Sequence, residues 1–192
     1  MNKQRFLSRF SLRKPSYLNS AFTAKIKGFL KKAAVLVPIV ERNNQLFILL
    51  TVRAEHLKHH PGQISFPGGG IEESDHDLSQ TALRETHEET GVSADKIHLF
   101  GELASIETGS GYRVSPYLGF VDENYQLTLD HNEVQAAFEI PLNFLLNKQH
   151  YYPVRFLRNS EEQTTYCIPY QTHLIWGMTA QILSTLIGIV ED

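Results

Sequence analysis

Cysteine is almost missing: Cys167 stands alone among 192 residues, so no disulfide can form within the chain. A chain of this length can bury a core without such staples. The pattern suits a reducing, cytoplasmic setting. Cys167 lies in the β-like run Thr-Tyr-Cys-Ile and reads as a small buried hydrophobe rather than a nucleophile. Long apolar runs are also missing. The longest, residues 182–190, is interrupted by Ser184, Thr185 and Gly188 and is too short to span a bilayer. No apolar segment follows the basic start, which argues against a secretory signal. Residues 1–40 contain no acidic side chain but nine Lys or Arg. The other nine basic side chains share the rest of the chain with all 21 acidic ones, a local net charge of −12. Such an arm can dock to an anionic partner or fold back on its own acidic body. It also resembles an organelle transit peptide. A solvated arm or edge helix is the plainer expectation. No nucleic-acid recognition motif accompanies the positive charge, so neither a nucleic-acid nor a membrane partner is expected.

What is present reads as a basic N-terminal extension, residues 1–30, before one domain over residues 31–192. Residues 1–20 look loosely structured, and residues 21–32 suit a short basic amphipathic helix. Ala33–Glu41 and Gln45–Arg53 read as strands around a polar Arg-Asn-Asn turn. Pro38 places the first of them near an edge or a bulge. A polar loop, residues 54–63, precedes a short β segment and the run Gly68-Gly69-Gly70. A helix is expected from about Asp75 to Thr90, capped by Ser74 with Asp77 or by Asp75, and stopped by Gly91. Strands follow at 97–107 and 114–121. A short helix is expected over 139–146, a hairpin from 151–157 and 164–168, and a closing amphipathic helix over 176–190. Strands interspersed with helices indicate an α/β sandwich whose mixed sheet is covered by helices.

The predicted helix 75–90 carries an unusual charge pattern. Residues 84–91 read Arg-Glu-Thr-His-Glu-Glu-Thr-Gly. At ~100° per residue, Glu85, Glu88 and Glu89 share one face within about one turn. Like charges so spaced repel by a few tenths of a kcal/mol per pair, and the helix C-terminus disfavours anions. Hard oxygen ligands in this arrangement suit Mg²⁺ or Mn²⁺. Arg84 can pair with Glu88 one turn on. An acidic triplet alone is more often a solvated helix face. The glycine run shifts that balance, because glycine lets a diphosphate approach the main chain closely.

With these residues in place the sequence resembles the Nudix hydrolases, whose signature is G-x5-E-x7-R-E-U-x-E-E-x-G-U, with U a bulky aliphatic residue. Arg84, Glu85, Glu88, Glu89, Gly91 and Val92 match its second half. Thr86 departs from the first U position. Counting back from Arg84 gives Gly70 but His76 in place of the acid. Aligning on the Pro-Gly-Gly turn gives Gly69 and Asp75, with one residue too many before Arg84. A second likeness, to the coenzyme A pyrophosphatase branch, rests on L-L-T-x-R-[SA]-x3-R-x3-G-x3-F-P-G-G. Leu49, Leu50, Thr51, Arg53, Ala54, Gly62 and Phe66-Pro67-Gly68-Gly69 match it. Lys58 replaces its second arginine, keeping the charge without the bidentate fork.

The resemblance implies a Nudix α/β/α sandwich and cleavage of coenzyme A, or its acyl or oxidised forms, to 3′,5′-ADP and 4′-phosphopantetheine. It implies Glu85 and Glu89 as principal ligands of Mg²⁺ or Mn²⁺, Glu88 as a third ligand with a catalytic part, and Arg84 as their orienting neighbour. Glu133 occupies a loop position where a carboxylate serves as base or extra ligand, although an ordinary exposed acid would look the same. Arg53 and Lys58 would hold phosphate, or simply solvate a strand end. Gly68 and Gly69 would shape the diphosphate cradle, chiefly as turn glycines. His56, His59 and His60 have zinc-like spacing only if helical, and Pro61 with Gly62 argues for a loop. Tyr112, Phe120 and Trp176 can stack on a base or belong to the core. Rival readings are a Nudix enzyme for ADP-ribose, NADH or a nucleoside triphosphate, and a non-catalytic Nudix domain that only binds. The partner expected is a small nucleotide substrate, with a homodimer left open.

Overall fold

The computed structural model describes residues 1–12, 30–158 and 161–191. Its elements in chain order are α1 (Lys3–Leu12), β1 (Lys31–Arg42), β2 (Gln45–Arg53), β3 (Ile64–Ser65), β4 (Gly68–Gly70), α2 (Leu78–Thr90), β5 (Ile97–Glu102), β6 (Ile106–Glu107), β7 (Tyr112–Val121), β8 (Val134–Pro141), α3 (Leu142–Leu145), β9 (Tyr152–Arg158), β10 (Glu161–Tyr170), β11 (His173–Trp176) and α4 (Gly177–Val190). The main sheet runs β3-β2-β1-β7-β5, with β4 on β1, β6 on β7 and β8 on β2. Among the described residues only the β1–β7 pairing is parallel, so the sheet is mixed. A second sheet, β11-β10-β9, stands beside it.

The alternation of β1 explains the layers. Val35, Val37 and Ile39 join a large core with Leu183, Leu186 and Ile187 of α4 and Phe6 of α1. Ala34 and Leu36 point the other way, onto Ala82 of α2. Helices therefore cover both faces, as the sequence suggests. Thr179 of α4 donates to the Ile64 carbonyl at 2.9 Å, tying the closing helix to the short strand ahead of the glycine run. No helix among the described residues is long and apolar enough to cross a membrane.

Several expectations change. Pro38 sits in the central strand β1, not at an edge. It falls between the stretch paired with β4 (residues 33–35) and the stretch paired with β2 (residues 39–42), where a missing N–H costs no ladder bond. The short helix expected over 139–146 forms as α3 behind Pro141, from Leu142 to Leu145, while residues 139–141 end β8 instead. Its apolar Phe138-Glu139-Ile140 alternation is the strand signal. Cys167 is half-buried, not buried. The expected helix at 21–32 lies largely outside the described residues, and its last two members begin β1.

Residues Lys3–Leu12 are helical where loose structure is expected. Phe6 is fully buried and meets Phe100 and Phe120 edge-on, with centroids at 6.1 Å in each case. Arg9 donates to the Val190 carbonyl at 2.9 Å. Two aromatic anchors in twelve residues, Phe6 and Phe10, both packed on Phe100, outweigh the helix's basic polarity. Phe6→Ala is expected to lower stability by about 3–5 kcal/mol, read as a shift in the urea midpoint at unchanged m-value.

Candidate active site

Helix α2 is built to carry polar groups inward. Asp77 is its N-cap, accepting from the Gln80 N–H at 3.0 Å, so the helix starts at Leu78 rather than Asp75. Gly91 closes it at φ 75°, the left-handed conformation that glycine adopts without steric cost. The buried Thr86 and Thr90 hydroxyls donate back to the Ala82 and Thr86 carbonyls at 2.6 and 2.5 Å. That satisfaction is how a threonine fits at Thr86, where the signature has an aliphatic residue.

The three glutamates differ sharply. Glu89 is 2% exposed, and its Oε2 has no hydrogen-bond partner. Burial pushes its carboxyl up to about 8; Arg53 opposes the rise, Glu133 and Glu85 add to it, and a backbone N–H bond from Gly68 opposes it. Glu85 is partly buried, and burial raises it too, against Arg84 and with help from Glu88 and Glu133. Glu88 points outward, its side chain 55% exposed and bound to Arg84.

Asp75, which the sequence leaves without a clear role, is the anchor of Arg84. The Arg84 fork meets it through Nε to Oδ1 and Nη2 to Oδ2, both at 3.0 Å. The Thr81 hydroxyl and the Glu72 N–H complete the carboxylate's contacts at 2.9 and 3.0 Å. Arg84 therefore holds Asp75 well below the usual carboxylate range. The remaining Arg84 donors reach the Gly70 carbonyl at 3.0 Å, Glu88 at 2.8 Å and Glu85 at 3.0 Å. The extra residue between Asp75 and Arg84 is absorbed in the loop before α2. The sequence signal for this contact is an acid one position off its expected spacing.

The glycine strand lies directly beneath. A Cβ on Gly68 would sit 2.6 Å from Val35 Cα, so only glycine lets β4 lie this close to β1. A Cβ on Gly69 would fall on the Glu85 carboxylate, 2.5 Å from its Cδ. Arg53, at the end of β2, faces Glu89 closely enough to act on its charge, and Glu133 acts on both Glu85 and Glu89. Lys58 stays on the exposed loop 54–63. His56 bonds the Asn132 carbonyl at 3.0 Å, and no group of three His, Cys, Asp or Glu among the described residues surrounds one point. For the histidines this agrees with a loop. Among the glutamates, Glu85 and Glu88 both lie against Arg84 Nη1. Phe120 belongs to the core, Tyr112 is half-buried under Lys31, and Trp176 is 45% exposed. A shallow depression of about 500 Å³ near Asn43 and Asp122 shares no residue with this cluster.

The buried Glu89 carboxylate with its orphaned oxygen, and Glu85 and Glu133 near enough to act on its charge, supply the hard oxygen donors that suit a divalent cation.

Comparison with known proteins agrees with this geometry. Residues 30–161 match the family model of the NUDIX domain. The "Uncharacterized Nudix hydrolase NudL" of Enterobacter sp. (strain 638) is 35% identical over 181 residues, spanning 94% of this chain and 91% of its own. Its namesake in Yersinia enterocolitica serotype O:8 / biotype 1B is 39% identical over 181 residues, spanning 94% and 89%. Among solved structures, the NUDIX hydrolase from Alicyclobacillus acidocaldarius superposes with TM-score 0.52 at 19% identity, over 85% of this chain and 93% of that one. The MutT/nudix family protein from Enterococcus faecalis gives TM-score 0.52 at 14% identity, over 97% and 68%. At such identities the structural likeness speaks for the fold.

Proposed function

The chain belongs to the Nudix family of pyrophosphohydrolases, enzymes that use divalent metal ions on nucleoside diphosphate-linked compounds, and on that footing we propose that it cuts the pyrophosphate bond of coenzyme A or its acyl or oxidised forms. The products would be 3′,5′-ADP and 4′-phosphopantetheine. One observation carries the choice of substrate. The residues of the upstream coenzyme A signature and the glutamates of the Nudix box form one site: Arg53 faces Glu89, the Gly68 N–H bonds it, and Gly69 floors Glu85.

In this reading Glu85 and Glu89 would hold Mg²⁺ or Mn²⁺, with Glu88 as a third ligand. When bound, the metal would supply charge neutralisation for the diphosphate and Lewis acidity toward a water. The chain's own residues do the rest. Arg84, fixed on Asp75 and the Gly70 carbonyl, orients Glu85 and Glu88 from one side. Arg53 and Lys58 offer positive charge to the diphosphate or the 3′-phosphate. Gly68 lets β4 lie against β1, and Gly69 leaves room for the Glu85 carboxylate, so the two glycines shape the site under the diphosphate. Glu133 takes the water's proton or completes the ligand set.

The deciding assay incubates the purified chain with coenzyme A, ADP-ribose, NADH and ATP, with Mg²⁺ or Mn²⁺, and separates the products. Release of 3′,5′-ADP that stops with EDTA is expected. Faster cleavage of another compound would remove the coenzyme A assignment and leave the family chemistry standing. A second expectation concerns the floor. Gly69→Ala should reduce kcat on the order of 10–100-fold with little change in melting temperature, because the added methyl meets the movable end of Glu85 rather than backbone. Equal losses of stability and rate would remove that explanation.

A further inference from the structure

The segment joining β7 to β8, residues 122–133, carries Glu133 and has no regular structure of its own, yet it is fastened along its length. At its start the Asp122 N–H donates to the Lys96 carbonyl at 2.9 Å. Further along, the Tyr125 hydroxyl donates to Glu139 Oε1 at 2.7 Å. Glu139 also receives the Arg42 guanidinium through Nε at 3.1 and 2.9 Å and Nη2 at 2.8 Å. Arg42 spends its remaining arm on the Glu123 carbonyl at 2.8 Å and stacks on the Tyr125 ring at 5.5 Å. Three segments thus meet at one half-buried carboxylate: the end of β1, the side of β8 and the loop between β7 and β8.

Beyond Tyr125 the loop docks on the end of α2. The Thr128 N–H donates to the Thr90 carbonyl at 2.8 Å and the Asp130 N–H to the Glu89 carbonyl at 3.2 Å. These are among the carbonyls that a helix end leaves unpaired. Gly91 permits the approach, since a Cβ there would stand 2.8 Å from Thr128 Cβ. A tight turn then fixes Glu133 itself. Its N–H donates to the Asp130 carbonyl at 2.9 Å, and its own carbonyl accepts from the Ala54 N–H at 2.8 Å. Glu89 and Glu133 are therefore linked through backbone, by way of Asp130.

We propose that Tyr125, with Arg42 and Glu139, is a latch that seats this loop on the end of α2 and so sets Glu133 against Glu85 and Glu89. Tyr125, Arg42 and Glu139 are positioning residues, acting through Glu133 and touching no substrate. The inference rests on the role of Glu133 given above, and not on the choice of coenzyme A.

The test uses the full chain with Tyr125→Ala, Tyr125→Phe, Glu133→Gln and the Tyr125→Ala/Glu133→Gln double variant. Amide hydrogen exchange reports docking at Thr128 and Asp130 without any substrate. Kinetics use whichever diphosphate compound the wild-type chain cuts. Tyr125→Ala is expected to speed exchange at both amides and to lower kcat by about tenfold, with KM little changed. In the Glu133→Gln background the same change should alter kcat by less than about twofold, as coupled sites do. Tyr125→Phe, which removes only the hydroxyl, should move both readouts in the same direction by less, and it carries the test if the alanine variant does not fold. Unchanged exchange in the Tyr125 variants would overturn the latch alone. Faster exchange without loss of kcat, or an equal loss in both backgrounds, would overturn its positioning role. A Glu133→Gln variant as fast as wild type would overturn the role of Glu133 and this inference together.

Discussion

Glu89→Gln is expected to remove nearly all turnover, on the order of 10²–10³-fold or more in kcat, while leaving the metal-free protein at least as stable as before. The two effects share one cause. Glu89 is buried with an unpartnered oxygen, and its carboxyl is pushed up to about 8 from an ordinary 4.5. Between those values the folded chain keeps a proton that the unfolded chain has released. Stability of the metal-free protein therefore falls as pH rises from about 4.5 to about 8 and levels off above. At about 1.4 kcal/mol per tenfold in acidity the contribution is a few kcal/mol. Glutamine removes the titration, so the variant's melting temperature in EDTA should lose this slope and exceed that of wild type near pH 8. A bound divalent ion replaces the proton, so Mg²⁺ should raise the wild-type melting temperature more at pH 8 than at pH 6. It should do little for the variant. Near wild-type kcat would sink the assignment of Glu89, and an unchanged pH slope would sink the account of its burial.

The layers, the glycine turn and the glutamate face of α2 were legible in the sequence because each is a local pattern. Alternation in β1 and β2, three consecutive glycines and a spacing of three and four residues in α2 need no knowledge of what lies across the fold. The misses are places where a distant partner decides. Helix α1 reads as loose because its basic side chains dominate the composition. It is held by Phe6 against Phe100 and Phe120, roughly a hundred residues away. β8 was hidden by Pro141, which ends a strand here as readily as it begins a helix. Asp75 looked displaced because a spacing rule counts residues, whereas the Arg84 fork finds the carboxylate through a loop that can absorb one more. The docking of residues 122–133 has no local signature, since its bonds run from main-chain N–H groups to the carbonyls of α2.

Arg84→Lys is expected to lower kcat by about 10–100-fold and stability by about 1–3 kcal/mol. Lysine keeps the charge and loses the planar fork. Asp75, whose side chain is 4% exposed, would then keep only Thr81 and the Glu72 N–H as firm donors. Loss of the Gly70 carbonyl contact would also free the floor strand from α2. The pH dependence separates this from a general weakening. Asp75 is held below its ordinary value of 3.8 chiefly by Arg84, so its contribution is fully present above about pH 4 and fades as pH falls further. The gap in unfolding free energy between wild type and Arg84→Lys should therefore be constant from pH 5 upward and narrow below pH 4, a window separate from that of Glu89. Asp75→Asn should reproduce most of both losses, and combining the two changes should add little to either. If the double variant instead shows the full sum of the separate losses, Asp75 and Arg84 do not work as a pair, and the one-residue shift in the box has some other compensation.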